Sequence, residues 1–530
     1  MLIVTVFSML YVAGSMAYAC KKTFLYPNGQ LLAVGCLIVL CCLVVVRVGM
    51  ALVPRLRCDG RKLDGAVLLA TVVLLVVQIC LCQSYCFVTG WDPWTLSIDA
   101  WNVTQGAQID PWYYSIYPNN RLLFWIVCRC TEAALTLGFG DVLGTVRIFT
   151  VLNCISCATA LWCVYRILSL LASRGCGLVG WLLCVLVMWV SPWAGILYSD
   201  PLALCVVPLE LLLYIRARKA GGWQALILWV LLGFVGLAGY RIKPQVIFPL
   251  FAIVLHELVR IGASIRARRV AWKPLLNLAG VVLGALGASM LCATLSASIA
   301  IDVEPWREFG PSHYLMMGLN EETMGVYSRP DVEYSMSFAT PDERVRGNVA
   351  EIANRLRSMG LPGVSRLYFK KLMTNLNDGT FAWGNEGRFF TAWPLAPPTG
   401  IRSLYYEGGS LYDEWRTYSQ GVWITMLTLD IISLLSVLAS KAVTGRARSG
   451  DGIDPIESNG VGRGEFVCIV AAALLMLICF EVLFEARARY FYSSVSLFIL
   501  LASLGMNDMA RAWSALSHRI APRTSSQDGA

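Results

Sequence analysis

Charge is scarce in this chain of 530 residues: Asp, Glu, Lys and Arg make up 15% of it, against 57% hydrophobic residues and a mean hydropathy of +0.62. A soluble protein of this length does not carry so little charge. Histidine is scarcer still, with only His256, His313 and His518, so a histidine-rich metal site is excluded. The 19 cysteines are an odd number, and residues 299–420 contain none. Most, such as Cys36, Cys41, Cys42 and Cys184, lie inside apolar runs, where Cys acts as a small hydrophobe. A disulfide framework and a thiolate metal spacing are therefore both lacking. The alternating polar and apolar runs of a membrane barrel are also missing, as is any internal repeat.

What remains is a series of continuous apolar runs of roughly 18–25 residues, the length that crosses a hydrocarbon core about 30 Å thick. They predict an all-α polytopic membrane protein with about 12 transmembrane helices. The spans expected are 2–19, 30–53, 65–88, 143–171, 178–199, 201–217, 223–241, 244–260, 274–298, 421–440, 464–484 and 490–506. The net charge of +9 is concentrated in short blocks between spans: Arg55 to Lys62, Arg216 to Lys219, Arg260 to Lys273 and Lys441 to Arg463. The positive-inside rule places those blocks, and both termini, in the cytoplasm. Orientation alone explains them, so they give no reason to invoke nucleic acid. The N-terminal run to Ala19 ends Ala-Tyr-Ala like a signal peptide, but it lacks a charged start and reads as a retained helix.

The chain divides into an N-terminal two-helix membrane segment (1–64), a transmembrane core (65–298) with an acidic outer loop at 89–142, a large extracytoplasmic loop (299–420), C-terminal transmembrane helices (421–510) and a cytoplasmic tail (511–530). Residues 121–138 are apolar but interrupted by Arg121, Arg129 and Glu132, which predicts an amphipathic surface helix. The large loop reads as a mixed subdomain, with one helix starting at Thr340-Pro341-Asp342-Glu343 and running over 342–359. Between two apolar regions, Gly90 to Arg121 holds Asp92, Asp99 and Asp110, a dense set of Trp and Tyr, and Tyr117-Pro118-Asn119-Asn120-Arg121. Acids among aromatics at a membrane surface suit a polar, sugar-bearing substrate.

These residues resemble the GT-C-fold glycosyltransferases, which include protein O-mannosyltransferases and aminoarabinose transferases. In that resemblance Asp92 matches the acid of the first large outer loop and Ala100 and Gly106 the helix behind it. Tyr117 to Asn120 match the turn, and Arg147 a basic residue opening the next span. Pro93 stands where many of those enzymes carry a second acid. The chain is closer to a set of bacterial integral membrane proteins that share the Tyr-Pro-Asn-Asn run, Tyr198-Ser199-Asp200, Lys243-Pro244, Met317-Gly318-Leu319, Asp378 to Phe381 and Glu485 to Tyr490 in that order. The resemblance implies a GT-C-like architecture. It also implies transfer of a sugar from a polyprenyl-phosphate donor to an envelope glycan, lipid or protein at the outer face of the cytoplasmic membrane.

Such a transfer needs a base for the acceptor hydroxyl and cations for the departing phosphate. Asp92 is the candidate base, with capping of a helix at Pro93 as the plain structural alternative. Asp99 lies two helical turns further on, roughly 10 Å away, too far to share a proton. It is a second candidate or a solvated face. Arg487 and Arg489, with Arg241, Lys243 and Arg147, are candidates for the phosphate, since guanidinium forks suit phosphate oxygens, though interfacial snorkelling gives the same pattern. Two apart, Arg487 and Arg489 point in different directions on a helix, so that one Arg meets Glu485 and the other the donor. Asp200 precedes Pro201 and reads mainly as a cap. Asp110 reads mainly as a turn residue and His313 as structural. Tyr117, Asn119, Asn120 and Arg121 complete the candidate substrate site. The loop carboxylates are of the type that binds Mg²⁺ or Mn²⁺, and the sequence leaves that cofactor open. A twelve-span transporter or flippase is the alternative, and a non-catalytic envelope scaffold a third. Few mid-span charges and no repeat favour the enzyme.

Overall fold

The computed structural model describes residues 28–55, 60–268, 272–299, 301–386, 399–447 and 460–520. The expected span at 2–19 lies outside them. Among the described residues the chain is helical throughout, without a strand. The helices are α1 Asn28–Arg55, α2 Gly60–Tyr85, α3 Trp91–Thr104, α4 Trp112–Ile116, α5 Arg121–Thr136, α6 Val142–Leu171, α7 Arg174–Cys184, α8 Ser199–Leu202, α9 Val206–Lys219 and α10 Gly222–Ile242. They continue with α11 Phe248–Arg266, α12 Trp272–Ala297, α13 Pro311–Gly318, α14 Arg329–Met336, α15 Pro341–Leu376, α16 Trp383–Glu386, α17 Arg402–Tyr405, α18 Tyr412–Ala447, α19 Arg463–Leu483 and α20 Ser496–Ile520.

Among the described residues, seven helices are long and apolar enough to cross a membrane, and an eighth span forms if Ala488–Ser494 and Ser496–Ser514, bent by 67°, count as one. Of the other expected spans, 2–19 lies outside the described residues, 30–53 falls in the 28-residue α1, and local chemistry breaks the two that remain. The run 178–199 is not one helix: α7 passes into a π turn at Val185–Trp189, then a 3-10 turn at Pro192–Gly195. The run 201–217 also begins with a four-residue α8 and a 3-10 turn before α9. Pro192 and Pro201 each remove a backbone donor where the helices break. Buried broken helices line protein interiors rather than lipid.

Small residues decide the close pairs. A side chain at Gly233 would come 2.0 Å from the Val281 carbonyl, and one at Gly284 would come 1.9 Å from that of Val230. The backbones of α10 and α12 meet there, as in small-residue membrane packing. The end of the bundle away from loop 89–142 is tied by charge. Asp64 pairs with Arg166 (2.5 Å) and Arg174 (3.1 Å), and Arg218 pairs with Glu465 (2.6 Å).

At the other end, α5 is amphipathic as expected. Leu122, Leu123, Phe124, Val127, Cys128, Cys130 and Thr131 are buried, while Arg129 and Glu132 pair in solvent at 2.7 Å. The segment 301–386 is helical, not mixed. Its long helix α15 starts at the expected Thr340–Glu343 capping box and runs past residue 359 to Leu376, kinked at Gly360 (φ 57°) just before Pro362. This subdomain docks on loop 89–142: the Phe309 amide donates to the Ile116 carbonyl (3.2 Å) and the Glu304 amide to the Ser115 hydroxyl (2.9 Å).

Candidate active site

Asp92 stands in the first turn of α3, and it does not cap it. The N-cap is Gly90, and the Asp92 carboxylate instead accepts a hydrogen bond from the Tyr198 hydroxyl at 2.6 Å. Trp91 holds a left-handed backbone (φ 55°), unusual for a bulky residue and worth about 1–2 kcal/mol of strain. That turn packs the Trp91 indole edge-on against Tyr198, with ring centres 4.8 Å apart. Burial first, and then the charge of Asp92, hold the Tyr113 phenol well above its usual range.

Asp200 does not cap α8 either. It is fully buried and faces two cations, the Lys243 ammonium at 2.8 Å and the Arg489 guanidinium at 3.7 Å. Lys243 and Arg489 are 5% and 2% exposed. One carboxylate against two cations leaves a net positive charge, in a place where charge is screened little. The Arg489 guanidinium lies 4.3 Å from the Trp91 ring and 4.8 Å from the Tyr198 ring. Lys243 lies 4.5 Å from the Tyr490 ring. Tyr198 therefore touches the acid through its hydroxyl and the cation through its face.

The remaining candidates divide. Arg487 pairs with Glu485 at 3.6 Å, so of the two arginines one meets that glutamate and the other meets Asp200. Arg241, two residues before Lys243, is exposed, and Cys292 on α12 feels its charge. Arg147 lies over Phe139 at 5.8 Å and beside Cys86; its described contacts do not include the Asp200 triad. Asp99 accepts from the Tyr114 hydroxyl at 3.0 Å, away from the Asp92–Tyr198 pair, and burial pushes its carboxyl up to about 6. Asp110 is exposed and holds the turn by accepting from the Trp112 amide at 2.9 Å.

Tyr117 packs edge-on against Phe309 (5.9 Å) and tilts against Tyr113 (5.3 Å), so it links the loop to the outer subdomain. Asn120 is buried and donates to the Tyr113 hydroxyl at 2.7 Å, while the exposed Asn119 leans on Asn120 at 3.3 Å. Arg121 donates to the Tyr114 carbonyl at 3.0 Å. His313 is stacked on Phe309 (4.0 Å) and bonded to Ser335 (2.7 Å), and burial lowers it to about 4. Both sets of contacts are structural. Asp378 accepts from Thr380 and from the Ala382 amide (2.9 Å), which shapes the Phe381 turn. The Phe381 carbonyl in turn accepts from the Trp193 indole at 3.1 Å. Among the described residues, no group of three or more His, Cys, Asp or Glu stands together as a metal ion would require.

The role of Tyr198 beside Asp92 was not assigned from sequence, and Asp200, a candidate for the site, read mainly as a cap. The signal was present only in the order of the short motifs, because Tyr198 and Asp200 lie more than a hundred residues from Asp92.

Fold and composition define a multi-pass, wholly helical integral membrane protein among the described residues. The chain belongs to the family of conserved hypothetical integral membrane proteins, whose profile matches residues 1–442. No curated protein matches the chain. Solved structures similar to it include the oligosaccharyltransferase AglB from Archaeoglobus fulgidus in complex with an inhibitory peptide and a dolichol-phosphate. That match has a TM-score of 0.39 and 12% identity, over 86% of this chain and 52% of that one. The apo form of the Archaeoglobus fulgidus oligosaccharyltransferase gives a TM-score of 0.42 and 12% identity, over 87% and 52%. ArnT from Cupriavidus metallidurans bound to undecaprenyl phosphate gives 0.32 and 11%, over 87% and 81%. The chain spans about half the length of the oligosaccharyltransferases it matches.

Proposed function

We propose that this protein is a membrane glycosyltransferase that moves a sugar from a polyprenyl-phosphate donor to an envelope glycan, lipid or protein acceptor. One observation carries the reading: Tyr198 bridges an acid, Asp92, and a cation, Arg489, that is itself paired with Asp200 beside Lys243. An acceptor hydroxyl approaching Asp92 loses its proton to that carboxylate as its oxygen attacks the anomeric carbon. The bond from that carbon to the phosphate oxygen breaks, and the phosphate leaves with the electron pair. Its charge falls to Arg489 and Lys243, which Asp200 holds in place before the reaction begins. Arg487 sits one step outside that pair. Asp99 is assigned to acceptor hydroxyls through the Tyr114 side of the loop, with Tyr117, Asn119, Asn120 and Arg121 shaping the entrance. The site faces the outside of the cytoplasmic membrane and both termini face the cytoplasm, because the basic blocks lie at the opposite ends of the helices.

The test compares envelope sugar composition in a deletion strain rescued with wild type or with Asp92→Asn. The expected result is that one sugar disappears on deletion and that Asp92→Asn, at matched protein level, restores it on the order of 10²–10⁴ times more slowly. Full rescue by Asp92→Asn sinks the reading and favours a transporter. EDTA in the purified assay addresses the metal. Transfer that persists leaves the phosphate to the side-chain cations, and a loss restored by Mg²⁺ or Mn²⁺ adds a divalent ion beside them.

A further inference from the structure

One buried cation stands behind the site and has no part in the chemistry above. Lys371, on the second half of α15, has no exposure to solvent. Its amine donates to the Gly318 carbonyl at 2.8 Å and to the Phe484 carbonyl at 2.5 Å. Its stem passes Gly325, whose φ of 71° and lack of a side chain leave room: a side chain there would come 2.8 Å from the lysine. The Gly325 carbonyl accepts from the Ala486 amide at 2.7 Å, and Asn375, one turn after Lys371, donates to the Glu481 carbonyl at 3.2 Å. These bonds stitch the outer subdomain to residues 481–486, immediately before Arg487 and Arg489.

Two acids face the amine, Glu481 at the end of α19 and Glu485 in the segment that follows. Lys243 also feels Glu481, and Arg487 pairs with Glu485. Glu485 is thus shared by Lys371 and Arg487, and Glu481 is felt by both Lys371 and Lys243. From the side of α13 and the 318–326 turn, Lys371 meets a backbone carbonyl.

Resting on the transferase reading, we propose that Lys371 is a positioning residue for donor binding. Its charged amine fixes the 481–489 segment and offsets Glu485, which leaves Arg487 and Arg489 to meet an anionic phosphate. Burial lowers the amine from its usual 10.5 to about 7, while Glu481 and Glu485 pull it upward. The charge is therefore present below about pH 7 and lost as pH rises through it. The neutral amine leaves Glu485, which pairs with Arg487, without that counter-charge.

The experiment titrates undecaprenyl phosphate into the full-length protein in nanodiscs by isothermal calorimetry at pH 6 and pH 8.5. Wild type, Lys371→Arg, Lys371→Met and Arg489→Gln are compared. Wild type is expected to weaken on the order of ten-fold between the two pH values, the usual size of coupling between neighbouring buried groups. Lys371→Arg, which keeps its charge at both, holds its affinity. Lys371→Met is weak at both, with its melting midpoint showing that it folds. The wild-type and Lys371→Arg pair decides the matter even where the Met variant does not fold, because the lipid's own ionisation acts equally on both. If Arg489→Gln binds like wild type, the phosphate site itself is wrong. If Arg489→Gln weakens binding while wild type and Lys371→Arg share one pH profile, the role of Lys371 is overturned and the transferase reading stands.

Discussion

At the scale of single residues, one carboxylate organises the site. Asp200 pairs with both Lys243 and Arg489, and removing it takes that partner from two cations buried in low dielectric. Asp200→Ala is expected to cost about 3–5 kcal/mol, read as a lower melting midpoint in detergent, with an even larger loss of donor affinity. A midpoint within a degree or so of wild type would mean that the triad holds nothing together. Asp99 behaves differently. Its carboxyl is raised to about 6 by burial, so the folded state holds a proton that the unfolded chain releases near 4. Its stabilising contribution is therefore present below about pH 4 and lost as pH rises to about 6. Asp99→Asn cannot ionise; its melting midpoint is expected to exceed that of wild type at pH 7 and to meet it near pH 4. Parallel curves across that range would contradict the raised carboxyl.

The identity of these acids was legible in the sequence, but their partners were not. Asp before Pro is a common helix start, and for Asp92 and Asp200 that local reading competed with function. Tertiary contacts set the capping reading aside: both side chains turn away from their own helices, one to Tyr198 and the other to Lys243. Arg241 and Lys243 show the converse. Two residues apart, they looked like one cluster, but the chain leaves α10 between them, so Lys243 is buried in the site and Arg241 is exposed.

At the scale of elements, close backbone contact does what side-chain packing does elsewhere. A methyl group at Gly318 would come 2.5 Å from both the Leu483 and the Phe484 carbonyls. Gly318→Ala must push α13 away from the end of α19, at a cost of about 1–3 kcal/mol. Because Lys371 bonds to the same Gly318 carbonyl, the variant is expected to raise the donor KM more than it lowers kcat; an unchanged KM would separate α13 from the site. Helix existence was readable from the continuous apolar runs, and the start of α15 from its capping box. Helix continuity was not. The runs at 178–199 and 201–217 have membrane length by composition, yet buried prolines and serines break them, because a broken helix inside protein finds partners that one in lipid lacks.

At the scale of the whole molecule, the acidic and cationic site lies at one end of the bundle and the arginine networks of Asp64, Glu465 and Asp508 at the other. A reporter inserted near residue 357 is expected outside the cell and one near residue 455 inside. Reporters on the same side would overturn the topology on which the donor side depends.

The left-handed turn at Trp91 has a further use. It lays an indole against the guanidinium that is assigned to the donor, and the emission of an indole responds to a charge over its face. Phosphate arriving at Arg489 draws that charge away, so the difference in fluorescence between wild type and Trp91→Phe is an optical signal for donor arrival. Followed by stopped flow, it separates the millisecond encounter with the lipid from the slower breaking of the sugar bond.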